Sequence, residues 1–86
     1  SRRTWKKKLM KNIINDLKRD MLTFGYVLIS VEFEINNEIG IIYNYSHVDS
    51  DVKFSMSIDI FGTRHTDYFH LIKSYDDKFT KILEDN

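Results

Sequence analysis

From Lys8 to Phe24 the apolar residues recur at helical spacing. Leu9, Met10, Ile13, Ile14, Leu17, Met21 and Phe24 fall on one face about 140° wide, with Lys8, Lys11, Lys18 and Arg19 opposite. Gly25 stands where a helix of this kind stops. Trp5 lies at the edge of the stripe, so the helix is expected to begin near Thr4, with residues 1–7 a loose basic arm.

At Tyr26 the period changes from helical to two. Val27, Ile29, Val31, Phe33 and Ile35 are expected to point inward, and Tyr26, Leu28, Ser30, Glu32 and Glu34 outward. Asn36-Asn37 marks a turn, and a second strand runs from about Ile39 to Tyr45 with Ile39, Ile41, Tyr43 and Tyr45 on one face. A three-residue loop, Asn36 to Glu38, places Ile35 opposite Ile39, Phe33 opposite Ile41, Val31 opposite Tyr43 and Ile29 opposite Tyr45. A two-residue loop would set Glu32 and Glu34 beside Ile41 and Ile39, so the odd length is the consistent one.

Ser46 to Asp51 reads as a polar turn, followed by a third strand from Val52 to Ile60 that ends at Gly62-Thr63. Val52, Phe54, Met56, Ile58 and Ile60 would face inward, and Lys53, Ser55, Ser57 and Asp59 outward. A last helix is expected from about Asp67 to Glu84, capped by Thr66 or Asp67, with Tyr68, Leu71, Ile72, Tyr75, Phe79, Ile82 and Leu83 as its apolar stripe. The predicted fold is α+β in the order α-β-β-β-α: a two-layer sandwich of a three-stranded antiparallel sheet flanked by an N-terminal and a C-terminal helix.

Eighty-six residues set the expectation of a single domain, 1–86, and twelve aromatic residues give it large rings with which to build a small core. The chain has no cysteine, which excludes disulfides, thiolate metal sites and a cysteine nucleophile. A secreted domain this small would usually carry disulfides, so a cytoplasmic location is expected. Neither a secretory signal nor a membrane-spanning run is recognisable, and no membrane partner is expected. Ala, Pro and Gln are absent while Ile, Lys, Asn, Asp, Tyr and Phe abound, the usage of an AT-rich genome such as that of a low-GC bacterium, its phage or its plasmids.

Charge changes the picture more. The chain is neutral overall, but its first twenty residues carry eight bases against Asp16 and Asp20, and the remainder carries five bases against eleven acids. Arg2, Arg3, Lys6, Lys7, Lys8, Lys11, Lys18 and Arg19 form a basic surface fit for an acidic partner or for phosphates. Glu32, Glu34 and Asp59 would form an acidic patch on the outer sheet face, a seat for a basic protein. The ordinary fate of such charges is a solvated surface; here the segregation of sign favours binding.

Candidate chemistry is thin. His47-x-Asp49-x-Asp51 has metal-binding residue types but lacks the glycine and the terminal glutamate of a calcium loop, and it reads more simply as a solvated turn. Asp59, Arg64, His65 and His70 gather near the expected end of the third strand, the residue types with which a nuclease pairs an acid–base histidine and a phosphate-steadying arginine; as surface residues they need no such role. No glycine-rich phosphate loop or nucleophile elbow occurs. The element order is similar to that of a double-stranded RNA-binding domain. Its G-P-x-H turn and K-K-x-A-K helix start are replaced here by Asn36-Asn37-Glu38 and Thr66-Asp67-Tyr68-Phe69-His70, so no residue roles are carried over.

These features lead to the expectation of a non-enzymatic protein-binding module without cofactor or metal, of inhibitor, immunity-protein or adaptor type. It would block a macromolecular partner such as a nuclease or toxin by steric and electrostatic means. Nucleic-acid binding through the first helix is the alternative, and pairing of an edge strand with a second copy would give a homodimer.

Overall fold

The computed structural model describes residues 2–65 and 68–85, with side-chain surroundings from residue 4 onward. It contains α1 (Arg2–Thr23), β1 (Tyr26–Ile35), β2 (Ile39–His47), β3 (Lys53–Met56), α2 (Ile58–Arg64) and α3 (Phe69–Glu84). The α+β framework is the expected one, a three-stranded antiparallel sheet between an N-terminal and a C-terminal helix, with a short helix added before the last. The strands lie in the order β1-β2-β3.

α1 includes residues 2–7, so this stretch continues the helix instead of leaving it. Its exit depends on Gly25. The amides of Phe24 and Gly25 bond back to Met21 and Leu22, each at 3.0 Å, and Gly25 takes a φ of +86°. That left-handed conformation is inexpensive only without a side chain, and it turns the chain directly into β1. The Val48 amide then bonds to the Gly25 carbonyl at 2.9 Å and ties the turn to the far end of β2.

The β1–β2 hairpin has the three-residue loop and the register of the sequence reading as far as Val31, with Ile35 opposite Ile39, Phe33 opposite Ile41 and Val31 opposite Tyr43. Beyond Val31 the expectation fails. A bulge between Leu28 and Ser30 leaves Ile29 as the extra residue, so Tyr45 faces Leu28 instead. The inserted residue reverses the phase. Tyr26 and Leu28 are buried in the core, and Ile29, expected inside, is 47% exposed.

β3 is also shorter than expected. The apolar alternation from Val52 to Ile60 is strand only over Lys53–Met56. Ser57, in extended conformation, is the N-cap of α2, and Asp59 lies in that helix's first turn, where a carboxylate is favoured by the helix dipole. Ile58 and Phe61, three apart, face inward, whereas Ile60 is 53% exposed. Gly62-Thr63 therefore lies inside a helix and ends no strand. The proposed caps Thr66 and Asp67 lie outside the described residues; α3 begins at Phe69.

All three helices cover the same sheet face. Phe79 of α3 meets Phe33 edge to face with centroids 5.4 Å apart, Phe61 of α2 lies 5.2 Å from Tyr45, and Leu17 and Met21 of α1 complete the core. α3 is fixed by two polar bonds as well. The Tyr43 hydroxyl donates to Asp76 Oδ2 at 2.7 Å, and the Tyr75 hydroxyl donates to the Asp20 carboxylate of α1. The opposite sheet face carries no helix, which makes two layers.

Candidate interaction surfaces

The uncovered sheet face is organised by one cross-strand row. Ser30, Asn44 and Ser55 are register partners on β1, β2 and β3. The Asn44 side-chain amide donates to Ser30 Oγ at 2.9 Å, and Ser55 Oγ donates to Asn44 Oδ1 at 2.7 Å. The row engages both ends of the Asn44 amide and fixes its orientation. Glu32 and Glu34 stand exposed on the same face, opposite Ile42 and Gly40.

Asp59 does not join them. It was expected beside Glu32 and Glu34 on the outer sheet face, and the change from strand to helix at Ser57 removes it from the sheet altogether. It lines a cleft of about 470 Å³ together with Gly62, Thr63, Phe69 and His70, where α2 meets the first turn of α3. Gly62 is needed for that meeting, since a Cβ there would lie 2.4 Å from Cδ2 of Phe69. The sequence reading missed Gly62, Thr63 and Phe69 as a unit because a strand was expected to end at that glycine.

The basic surface lies on the side of α1 turned away from the sheet. Lys7, Lys8, Lys11 and Lys18 are exposed and make no ion pair among the described residues, and Lys6 is half-buried. Arg19 differs: its guanidinium lies 3.5 Å from Asp16 and 3.4 Å from Asp20. The side chains of Arg2 and Arg3 lie outside the described set.

The four residues with possible catalytic chemistry do not converge. Asp59 and His70 share the cleft, and Arg64 is exposed. His65 turns into an aromatic cluster, with the rings of Tyr26, Tyr45, Phe54 and Phe61 at centroid distances between 5.1 and 5.9 Å. Its Nδ1 shares a 2.9 Å hydrogen bond with the Tyr26 hydroxyl, and its buried Nε2 has no hydrogen-bond partner among the described residues. Burial lowers its pKa below the usual imidazole value, and nearby His47 and Arg64 push the same way. The arrangement favours the neutral imidazole over the charged one. His47 is exposed, with its ring 4.6 Å from that of Tyr26.

Among the described residues no group of three or more His, Asp or Glu side chains is placed to hold a metal ion, the His47–Asp51 segment included. No helix among them is long and apolar enough to cross a membrane. Comparison with protein-family models, with curated proteins and with solved structures finds no match to this chain.

Proposed function

We propose that this protein is a non-enzymatic binding module that occludes a macromolecular protein partner, in the manner of a small inhibitor, immunity protein or adaptor of a low-GC bacterium or its mobile elements. The supporting observation is the uncovered sheet face: a surface whose centre is fixed by the Ser30–Asn44–Ser55 row and whose margin carries exposed Glu32 and Glu34. A preorganised polar surface binds with little ordering cost, and its carboxylates steer a basic partner toward it. A basic nuclease or toxin has the matching chemistry.

The test begins with recovery and identification of the partner from the native host, followed by affinity measurement with purified components. The double variant Glu32→Lys/Glu34→Lys is expected to weaken binding by about tenfold or more, mainly through slower association at low salt. Unchanged affinity and unchanged salt dependence would reject this face as the interface.

One observation favours a second reading, nucleic-acid binding. The exposed lysines of α1 have no acidic partners among the described residues, so their charge is available to phosphates. Duplex and single-stranded DNA and RNA titrated at low and moderate salt decide it. Binding with a steep salt slope, lost when Lys8, Lys11, Lys18 and Arg19 are reversed in charge, would replace the protein-binding reading. Absence of binding at low salt would remove the alternative.

A further inference from the structure

We propose that the α2–α3 cleft is a subsite for an arginine side chain presented by a basic protein partner. This inference rests on the protein-binding reading above and adds a second contact, carried by α2 and α3 instead of the sheet. It starts from the walls of the cleft. Asp59 supplies a carboxylate from the first turn of α2, and Phe69 supplies an aromatic wall from the first turn of α3. Gly62 lets that ring press against α2, so the wall is held in place. Thr63 has its hydroxyl committed to the Asp59 carbonyl at 3.1 Å, so the carboxylate is the anionic group of a lining that also includes the exposed His70.

The charge around the cleft is uneven in the required direction. Lys73 of α3, which lies within electrostatic reach of Asp59, is bound to Asp77 at 2.9 Å. Asp59 has no ion-pair partner among the described residues. A carboxylate beside an aromatic ring is the pairing that guanidinium exploits best, with a forked hydrogen bond to one and a planar stack on the other. An ammonium uses the carboxylate as a point charge and stacks less well, so arginine is preferred over lysine. The same carboxylate disfavours an anion. The cleft is open to solvent, which suits a side chain carried on another surface better than an enclosed small molecule.

The probe is N-acetyl-arginine N-methylamide, titrated into isotope-labelled full-length protein and followed by two-dimensional amide NMR. Saturable shifts are expected at Gly62, Thr63, Phe69 and His70, with an apparent Kd of about 10 mM, as befits one side chain without the rest of an interface. The lysine analogue is expected to bind roughly two- to fivefold more weakly, and Asp59→Asn to weaken the arginine probe by a similar factor. Thermal melts of Asp59→Asn check that the parent fold is kept, and Phe69→Leu gives an independent test of the stacking wall with the same probe.

Equal shifts from the arginine, lysine and glutamate analogues would overturn the proposal, as would no response at these four amides. So would arginine binding that neither Asp59→Asn nor Phe69→Leu weakens. None of these results touches the sheet-face reading, whose own test uses Glu32 and Glu34. Failure of the sheet-face variants, conversely, leaves the arginine titration unaffected.

Discussion

Tyr75 and Asp76 are neighbours on α3, and each takes part in a tyrosine–aspartate hydrogen bond, but the two carboxylates respond in opposite ways. Asp76 accepts from Tyr43 inside the core and is only 9% exposed. Burial raises its pKa above the ordinary value of 3.8, and the Tyr43 hydrogen bond recovers only part of the shift. Asp20 accepts from Tyr75 at the solvent side of the α1–α3 contact. There the hydrogen bond is the largest influence and the pKa falls, with Arg19 and Lys78 adding to it. The phenols behave alike: burial chiefly raises both, Tyr75 to about 12, and Tyr43 further. The same bond thus stabilises a carboxylate in both places, and water decides the net result.

The largest effect expected from this contrast is that of Tyr43→Phe. It leaves a buried carboxylate without its donor, a loss of about 2–3 kcal/mol in denaturant unfolding at neutral pH. A loss no larger than that of Tyr75→Phe would break the contrast. Next comes Asp76→Asn, which keeps an acceptor for Tyr43 and removes the charge. A carboxyl whose folded pKa is raised contributes stability below its unfolded pKa and loses it as pH rises through the folded value. The asparagine variant should therefore equal or exceed the parent at pH 7 and lose that advantage on acidification; equilibrium unfolding at several pH values reads this directly.

His65 extends the contrast to a half-buried base. Its folded pKa lies below 6.5, so its contribution is complete above the unfolded value and is lost as pH falls through the folded one. His65→Gln should flatten that part of the stability profile, and an unchanged slope would show that His65 charges without cost. The smallest effect is that of Asp20→Asn. With its pKa lowered, Asp20 contributes above pH 3.8 and loses that contribution as pH falls further, so the variant should differ from the parent at neutral pH and converge with it in strong acid.

What the sequence made legible follows from what periodicity can carry. The helix from α1 to Gly25 and the register of Ile35, Phe33 and Val31 against β2 were readable, because a stripe, a glycine and a loop of odd length leave few alternatives. The phase of Tyr26 and Leu28 was not, since a pattern of period two cannot record one inserted residue. Nor was α2. Val52, Phe54, Met56, Ile58 and Ile60 alternate well enough for a strand, and the helix is favoured by Asp59 in its first turn and by the docking of Phe61 on Tyr45. The site divided along the same line. The lysines of α1 and the positions of Glu32 and Glu34 were legible, and Asp59 was misplaced with the helix that carries it.

The bulge at Ile29 also makes β1 uneven in its tolerance of changes in length. Leu28 and Val31 both reach the core only because two residues separate them there, where an unbroken strand would have one. Removing Ile29 would close the ladder into a regular one and leave Tyr26, Leu28, Val31 and Phe33 on the side they already occupy. Removing any single residue between Val31 and Ile35 would instead turn the apolar side chains on one flank of the gap out to solvent. The strand therefore has a joint at which the chain can lose a residue without moving its core, so single-residue deletions in any relative of this chain should accumulate at that joint and be rare a few residues further on.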